Sequence, residues 1–317
     1  MKKVVSVGDV NTDIVFAGLD HIPLSEQDVL AQRLEMLVGG QAGNVARALS
    51  RLGVPVTFVG RVGDDEYGRV AVEQLKEDGV DVSGVIVDPD VRTGATVILS
   101  TGAERAFATY LGAISKVTGA DVKREVLQQV SHMHVGSYYL LRDLQPEMED
   151  VFDEARRLGV TVSVDPGWDS FEEWDAGLFD VLRKVDVFMP NEIEAMTVTQ
   201  AATPESALEI LDRYSDIVVI KMGGKGSLVK DGEKIVHCPA FEVPVVDVTA
   251  AGDVFNAGFL YGFLNGWDLR RCAEFGNACG AISVTRVGVS GMMSGVREVE
   301  SFLAARSRGT VGGEVRV

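Results

Sequence analysis

Short β-branched runs alternate with segments of helical period along most of this 317-residue chain, and that alternation limits the folds open to it. KVVSV (3–7), VTFVG (56–60), VTVSVD (160–165), VDVFM (185–189) and IVVIK (217–221) are nearly continuous in apolar residues, as strands buried on both faces are. Between them, NVARALSRL, YGRVAVEQLKEDG, PEMEDVFDEARRLG and PESALEILDRY carry apolar residues at helical spacing. Gly53, Gly79 and Gly159 stand where a helix needs a left-handed residue to end. The pattern predicts an α/β domain over 1–317, with a mostly parallel sheet covered by helices on both faces. Ligands of such sheets bind beyond the C-terminal ends of the strands.

One region breaks the rhythm. Residues 91–111 read as a hairpin with a Thr-Gly-Ala-Glu turn, and 13–18 and 30–38 are strand-like with no helix between them. These pieces predict a small antiparallel flap beside the main sheet. Such a flap is too small to bury both faces, which predicts a homodimer through it. The Gly-rich end, 307–317, reads as a flexible tail.

Composition narrows the partners. Lys plus Arg number 30 and Asp plus Glu 47, a formal net charge of −17. A chain so acidic, with no basic tract, is ill suited to nucleic acid or to anionic lipid. The apolar run in MKKVVSV is too short for a secretory signal, and no window is long enough to span a bilayer. The three cysteines, Cys238, Cys272 and Cys279, lack metal spacing and suit a reducing cytoplasm.

Five stretches are candidates for chemistry. In DVTAAGDVFNAG (247–258), FEVPVVDVT (241–249) reads as a strand and the residues from Asp253 as a helix, with Gly258 and Gly262 spaced for close packing. Ala250, Ala251 and Gly252 then form a small-residue turn whose helical amides suit an anion. Asp253 beside that turn has two readings, a base that accepts a proton from an attacking hydroxyl or a simple helix cap. A second glycine cluster, VGGQAGNVARALSRLG (38–53), also leads into a helix, but neither the dinucleotide fingerprint nor a Walker lysine motif is present. In GDVNTD, Asn11 and Asp13 fall on one side of an extended segment, suited to vicinal hydroxyls or to an Asx-rich turn. NEIEA offers Asn191, Glu192 and Glu194 at a helix start, for hydrated Mg2+ or for capping. Beyond it, Lys221 precedes a glycine turn through Gly223, Gly224 and Gly226, a setting for phosphate oxygens or an ordinary hairpin. His132 and His134 share one strand face without a third ligand, more in keeping with core residues than with a metal site.

The order of these elements resembles the ribokinase, or pfkB, family of carbohydrate kinases over roughly residues 3–305. GGQAGN (39–44) and DVTAAGD (247–253) look like that family's two signatures, with Asn-x-x-Glu (191–194) and the glycine turn between them. The resemblance implies a three-layer α/β fold with a β-sheet lid, and phosphorylation of a hydroxymethyl group of a small sugar by ATP. It implies Asp253 as base and the amides of Ala251, Gly252 and Asp253 as the anion hole, with Ala250 in the same catalytic turn. Asn11, Asp13, Gly39, Gly40 and Asn44 would hold the sugar. Apart from the resemblance, Arg105, Tyr110 and Trp168 are candidates to shape the rest of the pocket. Asn191, Lys221, Gly223, Gly226 and Asn277 would serve ATP, Glu194 would serve Mg2+ through water, and Asp247 is a candidate for an optional K+. A nucleoside kinase and a non-catalytic sugar or nucleotide sensor of the same fold are the alternatives. The chain departs from the family at Val248 and Ala250 in the second signature. It also has Gln41 where ribokinases proper tend to have Lys, and no Glu within 135–143.

Overall fold

Successive residues of a strand face opposite sides of a sheet, and in this chain the two sides feed two cores. The computed structural model describes residues 2–101, 104–286 and 292–309. The first half contains β1 (Val4–Val7), β2 (Asn11–Ala17), β3 (Arg33–Gly39), α1 (Gln41–Arg51), β4 (Val56–Gly63), α2 (Glu66–Glu77), β5 (Asp81–Asp88), β6 (Ala95–Ser100) and β7 (Arg105–Tyr110). Next come α3 (Arg124–Leu127), β8 (His132–Val135), α4 (Met148–Arg157), β9 (Thr161–Val164), α5 (Leu178–Leu182), β10 (Val187–Phe188), α6 (Glu192–Thr199) and α7 (Pro204–Leu211). The chain continues with β11 (Ile217–Lys221), β12 (Ser227–Asp231), β13 (Lys234–Cys238), α8 (Ala251–Leu264), α9 (Leu269–Ser283) and α10 (Val296–Gly309).

Nine strands form one sheet in the order β13-β12-β11-β10-β9-β8-β1-β4-β5. Its pairings are parallel except β11–β12 and β12–β13. Val4 and Val219 join a core with α1, α8 and α9, whereas Val5, Val218 and Ile220 join a second core with α4, α6 and α7. The mostly parallel sheet with helices on both faces is thus the architecture expected. Gly53, Gly79 and Gly159 all take positive φ just beyond their helices, which is where glycine escapes the Cβ clash. Packing of α8 on α9 needs small residues: a Cβ at Gly258 would lie 2.7 Å from Cys279 Sγ, and one at Gly262 2.9 Å from Cys272 Sγ. Both thiols are buried and unbridged.

A separate four-stranded sheet has the order β3-β2-β6-β7; it is antiparallel at β2–β3 and β6–β7 but parallel at β2–β6, so the flap is mixed rather than antiparallel as expected. Registers place Asn11, Asp13, Thr96 and Thr109 on one face, and Leu34, Met36, Ile14, Phe16, Val97 and Leu99 on the other. The hairpin turn at 102–103 lies outside the described residues. So do 310–317 of the expected tail, while α10 takes in its first three residues. No helix among the described residues is long and apolar enough to cross a membrane.

One expected strand is absent. FEVPVVDVT has no ladder over 241–249; its bonds across to the neighbouring segment run from Val246 N and Asp247 N to Val284 O. Pro244 has no amide to donate to a ladder, and Val245, Val246 and Val248 are largely exposed rather than packed as strand residues. The apolar run therefore reflects a surface loop, and the approach to α8 is loop-to-helix rather than strand-to-helix.

Candidate functional site

The two glycine-led helices meet at the C-terminal end of the large sheet. Asn44, in the first turn of α1, donates from Nδ2 to Asp253 Oδ2 at 2.8 Å, joining residues 209 apart in sequence. Both side chains are buried. The helices differ in how their N-termini are satisfied. Asp9, just past β1, accepts from Gln41 N (3.1 Å) and Ala42 N (3.0 Å), so the first amides of α1 are committed to a side chain. The N-cap of α8 is Ala250, which offers no side-chain acceptor. Its Ala251 amide turns back to Val248 O at 3.3 Å. Gly252 and Asp253 follow in the first turn, where amides lack intrahelical partners and face the positive end of the dipole.

Ala250 has φ 59, the left-handed region. An alanine there carries a Cβ penalty of about 1–2 kcal/mol. Ala250→Gly is therefore expected to stabilise the fold by about 1 kcal/mol, after allowance for the freer unfolded chain. A urea midpoint unchanged or lowered would show that this turn is not strained.

Asp13 and Asn11 stand beside the α1 terminus. Asn11 Nδ2 donates to Asp13 Oδ1 (3.1 Å) and Thr96 Oγ1 (2.9 Å), and Thr96 contacts Thr109 at 3.2 Å. The amide hydrogens are thus fixed toward Asp13 and Thr96. Asn11 Oδ1 and Asn44 Oδ1 remain buried acceptors with no partner among the described residues. Glycine is required next to them: a Cβ at Gly39 would lie 2.2 Å from Asp13 Oδ2, and Gly40 has φ 97 with Asp9 O 2.7 Å from its Cβ position. Burial raises the Asp13 carboxyl to about 7, with the Asp9 charge adding to it. Burial, then the Asp165 charge, holds Asp253 well above the usual carboxylate range, against Asn44 and Lys221.

The remaining candidates lie around this centre. Lys221, at the end of β11, is hydrogen-bonded to the buried Asp165. Asn191 and Glu194 cap each other's amides, at 2.9 Å and 2.7 Å. Burial and the Asp165 charge push Glu194 up to about 7. Gly223 and Gly226 flank a tight turn, and a Cβ at Gly226 would lie 2.0 Å from Cys238 O. Asn277 Nδ2 donates to that same carbonyl at 3.0 Å and to Pro239 O at 3.2 Å. Arg105 reaches from the small sheet to Asp247 Oδ1 (2.8 Å) and Thr249 Oγ1 (3.1 Å). Gln41 Oε1 accepts from Ser137 N (2.8 Å) and Oγ (3.0 Å), bracing the end of β8. His132 and His134 share Ser163 Oγ at 2.8 Å each in the core. Among the described residues no group of three or more His, Cys, Asp or Glu could hold a metal ion.

Sequence reasoning missed Asp9, Asp165 and Asn256. The first two lie within two residues of the ends of strands that were correctly read, and a carboxylate at the C-terminal end of a parallel strand is itself a signal. Asn256 lies three residues after Asp253, on the same helix face. It donates to Asp165 Oδ2 at 2.6 Å.

The chain is similar to known proteins along most of its length. A 5-dehydro-2-deoxygluconokinase of Geobacillus thermodenitrificans is 31% identical, covering 94% of this chain and 92% of its own. An ATP-dependent ribose-1-phosphate kinase of Halopiger xanaduensis is 30% identical, over 96% of this chain and 99% of its own. The solved putative ribokinase II of E. coli, in complex with ATP and Mg2+, superposes with TM-score 0.84 at 26% identity, over 96% of this chain and 100% of its own. The family model described as pfkB family carbohydrate kinase matches residues 1–294. With both signatures joined through Asn44 and Asp253, the chain belongs to the pfkB family of carbohydrate kinases.

Proposed function

We propose that the protein transfers the terminal phosphoryl group of ATP to a hydroxymethyl group of a small sugar, with Asp253 as the base. The observation that carries this is the pairing of a buried, raised carboxyl with a helix terminus whose cap supplies no acceptor. A carboxylate at such a turn repels phosphate unless it has a task, and accepting the hydroxyl proton is that task. Gly252 fits the same reading. A Cβ there would only touch Lys221 Nζ at an ordinary 3.6 Å, so the protein does not demand glycine, whereas a close phosphate does.

The sugar side is a set of acceptors: the Asp13 carboxylate, Asn11 Oδ1 and Asn44 Oδ1. A polyhydroxylated ligand supplies the matching donors. Asp253 takes the proton as the oxygen attacks, and the Gly252 and Asp253 amides receive the charge on the transferring group. The small sheet acts as a lid that keeps water from competing for the phosphoryl group. Glu194 fits hydrated Mg2+, which keeps several waters and needs few protein ligands. Bound Mg2+ would neutralise charge on the ATP phosphates. Asn191, Gly223, Gly226 and Asn277 are assigned to the ATP side. Asp247 already has the Arg105 guanidinium as a counter-charge, which disfavours K+ there and makes Arg105 a tie between lid and turn.

The related kinases are named for different acceptors. A coupled ADP-release screen over pentoses, ketohexoses, keto-deoxy acids, inositols and nucleosides is therefore the test, and sugar-dependent ADP release is the expected result. ATP and sugar binding without ADP release would favour a sensor.

The far face of the lid carries Leu34 (60% exposed), Met36 (57%) and Tyr110 (56%), so Tyr110 faces away from Asp13 instead of shaping the sugar pocket as expected. An apolar sheet face of this kind is covered by a second copy in the homodimer reading. Light scattering is expected to give a dimer, and a monomer at working concentrations would remove the dimer but not the kinase.

A further inference from the structure

Beneath the α8 turn lies a buried charge pair that the reaction described above does not use. Asp165, fully buried at the end of β9, accepts from both Lys221 Nζ and Asn256 Nδ2 through Oδ2. Lys221 comes from β11, and Asn256 from α8 one turn beyond the base. Lys221 Nζ lies 3.6 Å from the Cβ position of Gly252, directly under the proposed phosphate turn.

This places a buried cation beside the base. A lysine ammonium on a flexible four-carbon stem pairs with whichever carboxylate is in reach. Burial works against the Lys221 ammonium, but the Asp165 and Glu194 charges outweigh it, and Asp253 contributes as well. Three carboxylates from three elements thus act on one lysine, and Asp165 holds the hydrogen bond. Were Lys221 bonded to Asp253 instead, the lone pair that accepts the hydroxyl proton would be occupied and its basicity lowered.

We propose that Asp165 is a positioning residue: it sequesters the Lys221 ammonium from Asp253 and, through Asn256, ties the first turns of α8 to the sheet. The inference rests on the phosphoryl-transfer reading, in which Asp253 is the base. It gives Lys221 a role under the turn rather than on the ATP phosphates.

The test pairs Asp165→Asn with the double substitution Asp165→Asn, Lys221→Met, measured with the sugar accepted by the wild type. Asp165→Asn frees the lysine and is expected to lower kcat at least ~10-fold, with KM for ATP little changed, because the base is quenched rather than removed. The double variant has no lysine to sequester and is expected to recover most of that loss. Removing both members of a buried pair is tolerated better than removing one, so the double variant also decides the matter if Asp165→Asn fails to fold. Full activity in Asp165→Asn would overturn the inference, and the kinase reading would still stand if Asp253→Asn were inactive in the same assay. A double variant no better than the single would overturn sequestration and return Lys221 to the phosphates. A loss in Asp165→Asn reversed by excess Mg2+ would place Asp165 at the metal and also overturn it.

Discussion

Asp253→Asn is expected to bind ATP and sugar nearly as the wild type does and to lose at least ~10²-fold in kcat, the low end for a positioned general base. The substitution keeps the size of the side chain and an oxygen for Asn44 Nδ2, so the contact between α1 and α8 survives. It removes the one property under test, the ability to take a proton. Burial and the Asp165 charge raise the Asp253 carboxyl well above its ordinary value. A carboxylate made more basic in this way is better matched to proton abstraction near neutral pH. The acidic limb of the wild-type rate profile should accordingly lie above the ordinary carboxylate range. Activity within about threefold of wild type would correspond to well under 1 kcal/mol of barrier, and Asp253 would then be no more than a residue in a helix's first turn.

Asp13→Ala should raise KM for the sugar roughly tenfold or more and leave KM for ATP nearly unchanged, since a charge-assisted hydrogen bond is worth about 1.5–3 kcal/mol. The effect has a pH signature. Burial raises Asp13 to about 7, so the carboxylate proposed to accept sugar hydroxyls predominates only above that pH. Wild-type KM for sugar is expected to fall as pH rises through about 7, and Asp13→Ala should flatten that slope. Stability runs the other way: a carboxyl whose folded pKa is raised binds protons more tightly when folded, so its contribution is lost as pH rises from the ordinary carboxylate range to about 7. Asn191→Ala, by contrast, should act on ATP and Mg2+ dependence, with a stability loss of about 1 kcal/mol from the lost cap of α6. Weakened ATP with untouched sugar in Asp13→Ala would reverse the placement of the two substrates.

The sheet was legible because buried parallel strands leave long apolar runs, and the helices between them kept a clean period. FEVPVVDVT defeated that logic. It has the composition of a strand, but Pro244 and its exposure to solvent make it a surface loop. The two glycine clusters were legible as turns, yet not what each turn serves. Asp9 caps α1 and Ala250 leaves α8 uncapped, a contrast that depends on a side chain more than thirty residues away from the helix it closes. The role of Asp165 was hidden for a related reason. An acidic residue at the end of a parallel strand marks a position near the site, but its task emerges only when the fold brings Lys221 and Asn256 to it from two other elements.

The most direct measurement of the central claim is phosphorus NMR of the wild-type protein with ATP, Mg2+ and the sugar found by screening. Transfer to a hydroxymethyl group is expected to give a new phosphomonoester signal split by two equivalent or near-equivalent methylene protons, growing in step with ADP. Inorganic phosphate in place of an ester, or an ester split by a single proton, would contradict transfer to a hydroxymethyl group at this site.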